Sequence, residues 1–267
     1  MSGVVWPLFD SLRGGKIESG IVSLSIIVLA AGASSRMGTP KPLVKFDAET
    51  CLSLVLKACL QSLADEVVLV IGAEAEAVRA EAIASVGKTP AKTFDIVLNE
   101  RFDRGQTSSL KTGLEGASPR SDAFVIFPVD HPLVTAVEID ALVNRFAAHP
   151  RGRTIFIAAH AGVRGHPALF SATHRAAMLG LEDDEPLHNY IRMHDGETEQ
   201  VPMENPGVVS GMNTPEEYKL LLEIYRSTRS GSAASGSPGP QGSHGPQGPH
   251  GPQGPNGPKG QTGGRLP

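Results

Sequence analysis

Cysteine is scarce in this sequence, and several other features that would narrow its chemistry are missing. Cys51 and Cys59 are the only two cysteines among 267 residues. On a helix their spacing leaves them over two turns apart, too distant to bridge. They read as small buried apolar residues of a reducing compartment, and a cytoplasmic location is expected. No apolar run of about 18 residues is present, so no membrane partner is expected. Met1 to Gly20 has no long apolar segment after a basic start, and so does not read as a signal peptide. A surplus of one charge is missing too. The formal net charge is −4, with no basic footprint, which argues against a nucleic-acid partner. No Ser-His-Asp or Cys-His arrangement stands out, so no nucleophilic side chain is expected to carry the chemistry.

What is present begins at Ile26. Ile26 to Ala31 is an unbroken apolar run, the pattern of a strand buried on both faces of a sheet. It turns abruptly into Gly32-Ala33-Ser34-Ser35-Arg36-Met37-Gly38-Thr39-Pro40-Lys41. Small residues let the backbone approach an anion closely, successive N–H groups make a concave anion site, and Arg36 and Lys41 add positive charge. The stretch reads as a loop built to hold a polyphosphate. It is not a Walker loop, because Gly38 is followed by Thr39-Pro40-Lys41. It is not the dinucleotide fingerprint either, because Ser34 stands where the second glycine belongs.

Downstream, strand and helix patterns alternate, the signal for a mainly parallel sheet. Pro42 to Phe46 reads as extended, Thr50 to Leu63 as an amphipathic helix, Val67 to Ile71 as a buried strand, and Glu74 to Val86 as an Ala-rich helix. Strands follow at Phe94 to Leu98 and Ala123 to Val129, a helix at Thr135 to Ala148, and a strand at Thr154 to Ala158. Asp130 thus stands at the C-terminal tip of a central strand, where a Mg²⁺ ligand is wanted beside a phosphate loop. Thr135 is available to cap the next helix in its place.

The string Leu-Ala-Ala-Gly-x-Ser-x-Arg-Met-Gly-x-x-Lys, from Leu29 to Lys41, resembles the signature of the MobA-like nucleoside triphosphate transferases, above all the enzymes that attach a nucleotide to molybdopterin. A second block agrees: Gly105, Ser109, Leu110, Gly113 and Leu114 fall on the family's Gly-x-x-x-Ser-Leu-x-x-Gly-Leu. The resemblance implies an α/β fold, a single Rossmann-like, GT-A-like domain of three α/β/α layers. That domain is expected over 23–228, after an irregular leader at 1–22 and before a tail at 229–267.

It implies that Leu29, Ala30, Ala31, Gly32, Ser34, Ser35, Arg36 and Lys41, with Gly105, Gln106 and Ser109, bind the nucleotide. Ser108 is a further candidate contact. Arg36, Lys41 and Asp130 are the implied catalytic residues. Mg²⁺ is the implied cofactor, held by Asp130 and by Asn213, which stands where the family usually has an Asp. An Asn carbonyl is a weaker but valid ligand for a hard cation. It could equally mark a lapsed member.

The family's guanylyl-transferring group tends to carry Leu-Ala-Gly-Gly and the cytidylyl group Leu-Ala-Ala-Gly, so Ala31 implies CTP. Molybdopterin is the implied acceptor, with a molybdoenzyme or its chaperone as a protein partner. His131, after Asp130, and His166, in Arg164-Gly165-His166-Pro167-Ala168-Leu169-Phe170, are the implied acceptor contacts. His131 could instead cover the site and His166 be a packed surface residue. Gly165 and Pro167 are expected to shape a turn. The family's Gly-Asp-x-Gly-Ala-Arg is absent from Gly180 to Tyr190, whose acidic run reads as a solvated helix entrance. That departure leaves open a sugar or alcohol phosphate as acceptor, or a nucleotide-binding accessory protein without turnover. From Gly236 to Gly263 glycine recurs every third residue, a collagen-like tract too short for an expected triple helix and read as a disordered tail. Trimerisation through it is a weaker alternative.

Overall fold

The computed structural model describes residues 22–34, 37–87, 92–148 and 152–234. The leader up to residue 21 and the collagen-like tract lie outside the described residues. Leu24–Leu29 forms β1, with all six residues buried. Ile26 and Val28 enter one core while Ile27 and Leu29 enter the other, which is why the run from Ile26 on does not alternate between apolar and polar, while buried Ser25 is paired with Glu66 and Ser121.

After β1 the chain makes a 3₁₀ turn at Lys41–Leu43 and a short hairpin, β2 (Lys45–Phe46) with β3 (Glu49–Thr50). The expected extended piece over 42–46 is therefore split. Helix α1 (Cys51–Gln61) opens with a capping box between Thr50 and Ser53. Then follow β4 (Glu66–Ile71), α2 (Ala75–Val86), β5 (Thr93–Leu98), α3 (Gln106–Gly116), β6 (Ala123–Pro128) and α4 (Ala136–Ala147). Thr135 caps α4 with Glu138 as its box partner, which leaves Asp130 free of capping. The chain closes with β7 (Ile155–His160), β8 (Val163–Ser171), α5 (Arg175–Leu179), α6 (Leu187–Met193), β9 (Thr198–Pro202) and α7 (Pro215–Ala234). Helix α7 thus runs a few residues past the change of composition near Arg229.

The seven-stranded sheet has the order β5-β4-β1-β6-β8-β7-β9. Strands β5, β4, β1 and β6 are mutually parallel. Strand β8 runs antiparallel to both β6 and β7, and β9 rejoins parallel to β7. Helices α1, α2 and α4 pack on one face, and α3, α5 and α6 on the other. The expected three-layer, mainly parallel α/β/α architecture is the one observed. At Gly113 an added Cβ would stand 2.2 Å from Ile27 Cγ2 and 2.9 Å from Val70 Cγ2, so the glycine lets α3 lie down on the sheet. Helix α7 packs its Leu221 and Tyr225 with Phe46 of the hairpin and with Met212, and Tyr218 donates to Lys45 O at 2.7 Å.

One local expectation is corrected. Gly165 and Pro167 do not shape a turn; both lie inside β8. The turn is at Ala161 and Gly162, both at positive φ (49° and 80°), as a two-residue hairpin requires. The register jumps from Ile157↔Ala168 to Ala159↔Arg164, so Gly165 to Pro167 bulge out opposite Ala158, and a bulge tolerates a proline without an N–H. Gly165 is small for another reason: a Cβ there would come within 2.1 Å of Val208 O.

Candidate functional site

A cavity of about 400 Å³ opens at the C-terminal ends of β1 and β6, the edge at which open α/β sheets bind ligands. Four parts of the chain build it. Leu29 to Gly32 and Ser34 come from the end of β1 and the turn after it, with Lys41 beyond. Gly105, Gln106 and Ser109 come from the start of α3. Asp130 follows β6, and Asn213 precedes α7. Ser35 and Arg36 lie outside the described residues.

The turn is stiffened from within. Ser34 adopts a left-handed conformation (φ 53°), its carbonyl accepts from Met37 N–H at 2.9 Å, and its hydroxyl accepts from Lys41 N–H at 2.9 Å. A Cβ built on Gly32 would meet nothing within 4 Å, so this glycine faces open cavity and gives a ligand direct approach to the main chain.

At the other side lies a cluster of charge. Lys41 Nζ donates to Asp130 Oδ2 at 2.7 Å and to Asn213 Oδ1 at 2.9 Å. His131 Nδ1 donates to Asp130 Oδ1 at 3.0 Å. Met212 N–H donates to Asp130 O at 2.9 Å, which brings Asn213 into position. Burial opposes the charge on Asp130, but the hydrogen bond and charge of His131, and then Lys41, outweigh it and hold the carboxyl well below the usual range. Among the described residues no group of three or more His, Cys, Asp or Glu side chains is arranged to hold a metal. Instead one carboxylate and one amide oxygen face a single cation, a donor set that fits a hard ion completed by phosphates and water.

His131 and His166 stand behind Asp130 and do not line the cavity. Their rings meet edge to face, 4.7 Å between centroids. His131 is buried, with Gly211 pressed against it: a Cβ there would lie 3.2 Å from His131 Cε1. His166 Nδ1 is buried without a hydrogen-bond partner among the described residues.

The start of α3 divides the serine candidates. Buried Asn99 donates through Nδ2 to Ser108 Oγ at 2.8 Å and to Ser109 Oγ at 3.0 Å. Ser109 lines the cavity. Ser108 is fully buried and spends its hydroxyl on Gly105 O and Arg101 O, so its expected ligand contact is corrected to a structural one. Met37, Phe102 and Asp103 also line the cavity and were not singled out from the sequence.

The acidic run is corrected as well. Asp183, between α5 and α6, accepts from Lys111 Nζ at 2.9 Å and faces Arg101 and Arg104 at 3.6 and 3.9 Å. Its carbonyl accepts from Ser108 N–H at 3.3 Å, and Thr107 Oγ1 donates to Glu185 O. The segment is thus a strap tied over the N-terminal end of α3 through Asp183 and Glu185, while Glu182 and Asp184 stay exposed as expected of a solvated entrance. Gly105 (φ 131°) underlies it, since a Cβ there would come within 2.6 Å of Asp183 O.

Residues 26–200 match the MobA-like NTP transferase domain. The purine catabolism protein PucB of Bacillus subtilis is 28% identical over 73% of this chain and 94% of its own. The nicotine blue oxidoreductase of Paenarthrobacter nicotinovorans is 27% identical over 73% and 95%. The crystal structure of Rv0371c from Mycobacterium tuberculosis superposes with a TM-score of 0.64, at 26% identity over 76% of this chain and 99% of its own; Rv0371c has also been solved in complex with manganese. A nucleotidyl transferase from Methanothermobacter shares the fold, with a TM-score of 0.62 at 23% identity over 77% and 99%.

Proposed function

This chain belongs to the MobA-like NTP transferase family and is a nucleotidyltransferase, and from that premise we propose that it transfers CMP from CTP to the terminal phosphate of molybdopterin, with release of pyrophosphate. Ala31 carries the donor assignment. It is only 2% exposed and lines the cavity, and it crowds Gly72, where a Cβ would stand 2.8 Å from Ala31 Cβ and 2.7 Å from Phe102 Cβ. The preference for CTP rests on the resemblance to the family's Leu-Ala-Ala-Gly pattern, in which an alanine at this position goes with the smaller pyrimidine. One methyl is worth only about 1–3 kcal/mol of discrimination, enough for a preference.

In the reaction, an oxygen of the acceptor phosphate attacks the α-phosphorus in line. The bond from that phosphorus to the β-phosphate oxygen breaks, and pyrophosphate leaves with the electron pair. The chain's part is positioning and charge balance. Main-chain N–H groups of the turn from Gly32 cradle the phosphates, Lys41 and Arg36 offset their charge, and Gln106 and Ser109 face the nucleoside. Asp130 and Asn213 would hold Mg²⁺, which as a Lewis acid would draw charge from the α-phosphate and the acceptor phosphate. The manganese complex of Rv0371c supports the same class of ion. His131 fixes the rotamer of Asp130, and on this reading the acceptor would approach from the side of His131 and His166.

Pyrophosphate release measured with CTP, GTP and UTP against molybdopterin and a panel of sugar and alcohol phosphates tests this reading. Turnover with CTP and molybdopterin alone is expected. Turnover only with a sugar or alcohol phosphate overturns the acceptor. CTP binding without turnover on any acceptor leaves an accessory protein.

A further inference from the structure

The Lys41 ammonium sits in the notch between Asp130 and Asn213, 2.7 and 2.9 Å from their oxygens. We propose that Lys41 is the resident cation of this notch and that a divalent ion takes the two oxygens only as Lys41 withdraws to the phosphates of the incoming nucleotide. The inference rests on the reading of Asp130 as the carboxylate that holds the ion.

Charge balance is the first argument. Asn213 is neutral, so the notch offers one negative charge, and Lys41 already cancels it. A divalent ion added to the same oxygens would leave a net positive centre with like charges in contact, which is strongly unfavourable in a half-buried site. The triphosphate removes the conflict by supplying the missing negative charge. Geometry is the second argument. The other carboxylate oxygen, Oδ1, is engaged by His131, so Lys41 and an entering ion compete for the same Oδ2. The third is reach. The main chain of Lys41 is pinned to Ser34, while its side chain borders the same cavity as Gly32 and Ser34. A flexible four-carbon stem lets the ammonium swing from the notch to the turn without moving the backbone. Metal and nucleotide affinity are then coupled through Lys41, by the same factor in each direction.

Mn²⁺ binding followed by electron paramagnetic resonance, with and without α,β-methylene-CTP, tests this in the full chain. Lys41→Met and Lys41→Gln are both made, each checked for a cooperative melt. Both are expected to bind Mn²⁺ alone roughly tenfold more tightly than the wild type, because a like charge has been removed. Both should bind the metal-free analogue more weakly, and the coupling between metal and nucleotide should shrink. Mn²⁺ affinity without nucleotide that is unchanged or weaker in both variants overturns the proposal. Asp130→Asn separates that failure from failure of the underlying reading: if it leaves Mn²⁺ binding in the presence of the analogue intact, the ion is held elsewhere and both fall.

Discussion

The rings of His131 and His166 meet edge to face 4.7 Å apart, immediately behind the carboxylate of Asp130. Burial, and then the charge of His131, push the His166 imidazole down to about 4. An unfolded chain takes up that proton near the ordinary value of about 6.5. Between those values the unfolded state binds more protons, so the stability due to a neutral His166 is complete above about pH 6.5 and is lost as pH falls towards 4. The loss amounts to at most about 3 kcal/mol. Urea unfolding at pH 7 and pH 4.5 checks this, and His166→Gln should flatten that part of the pH dependence.

Asp130→Asn is expected to lower pyrophosphate release at least ~100-fold, the upper end of what supporting residues around a metal cost. The carboxyl of Asp130 is depressed below the usual range, so its contribution to stability is present above the ordinary carboxylate value and disappears as acid protonates it in the fold. The variant should melt lower at pH 7, and the gap to the wild type should close at strongly acidic pH.

Two glycines separate binding from folding. A methyl on Gly32 meets nothing, so Gly32→Ala should melt like the wild type yet weaken CTP binding measured by calorimetry. A methyl on Gly113 would strike Ile27 and Val70, so Gly113→Ala should cost about 1–3 kcal/mol of stability through overpacking.

The strap at Asp183 grips the start of α3, whose Gln106 and Ser109 line the cavity. Asp183→Ala should raise the KM for nucleotide severalfold and leave kcat near the wild-type value. Added salt should reproduce part of that rise in the wild type, because Arg101 and Arg104 face Asp183 from exposed positions.

The sequence made the parallel half of the fold legible because its signals are local. Residues 26–29 and Ala123–Pro128 are apolar at every position, and Thr50 and Thr135 announce their helices with capping boxes. The turn that borders the cavity was legible for the same reason, since Leu29 to Lys41 is one continuous string. What was not legible depends on distant partners. Gly165 and Pro167 look like turn residues, yet their place in β8 is set by Val208 and by the bulge opposite Ala158. Strand β9 alternates weakly and ends in proline. Asp183 looks like any acidic surface residue until Lys111, Arg101 and Arg104, about eighty positions earlier, are brought round it.

The direction change at β8 has a bearing on how such proteins diverge. Apart from Asn213, the wall of the cavity is drawn from the segment that ends at Asp130, whereas β7 to β9 attach to the parallel strands through the β6–β8 ladder. None of the cavity's lining comes from β7 to β9, so on the proposed reading drift in that half of the sheet would change the acceptor while the donor site is inherited unchanged.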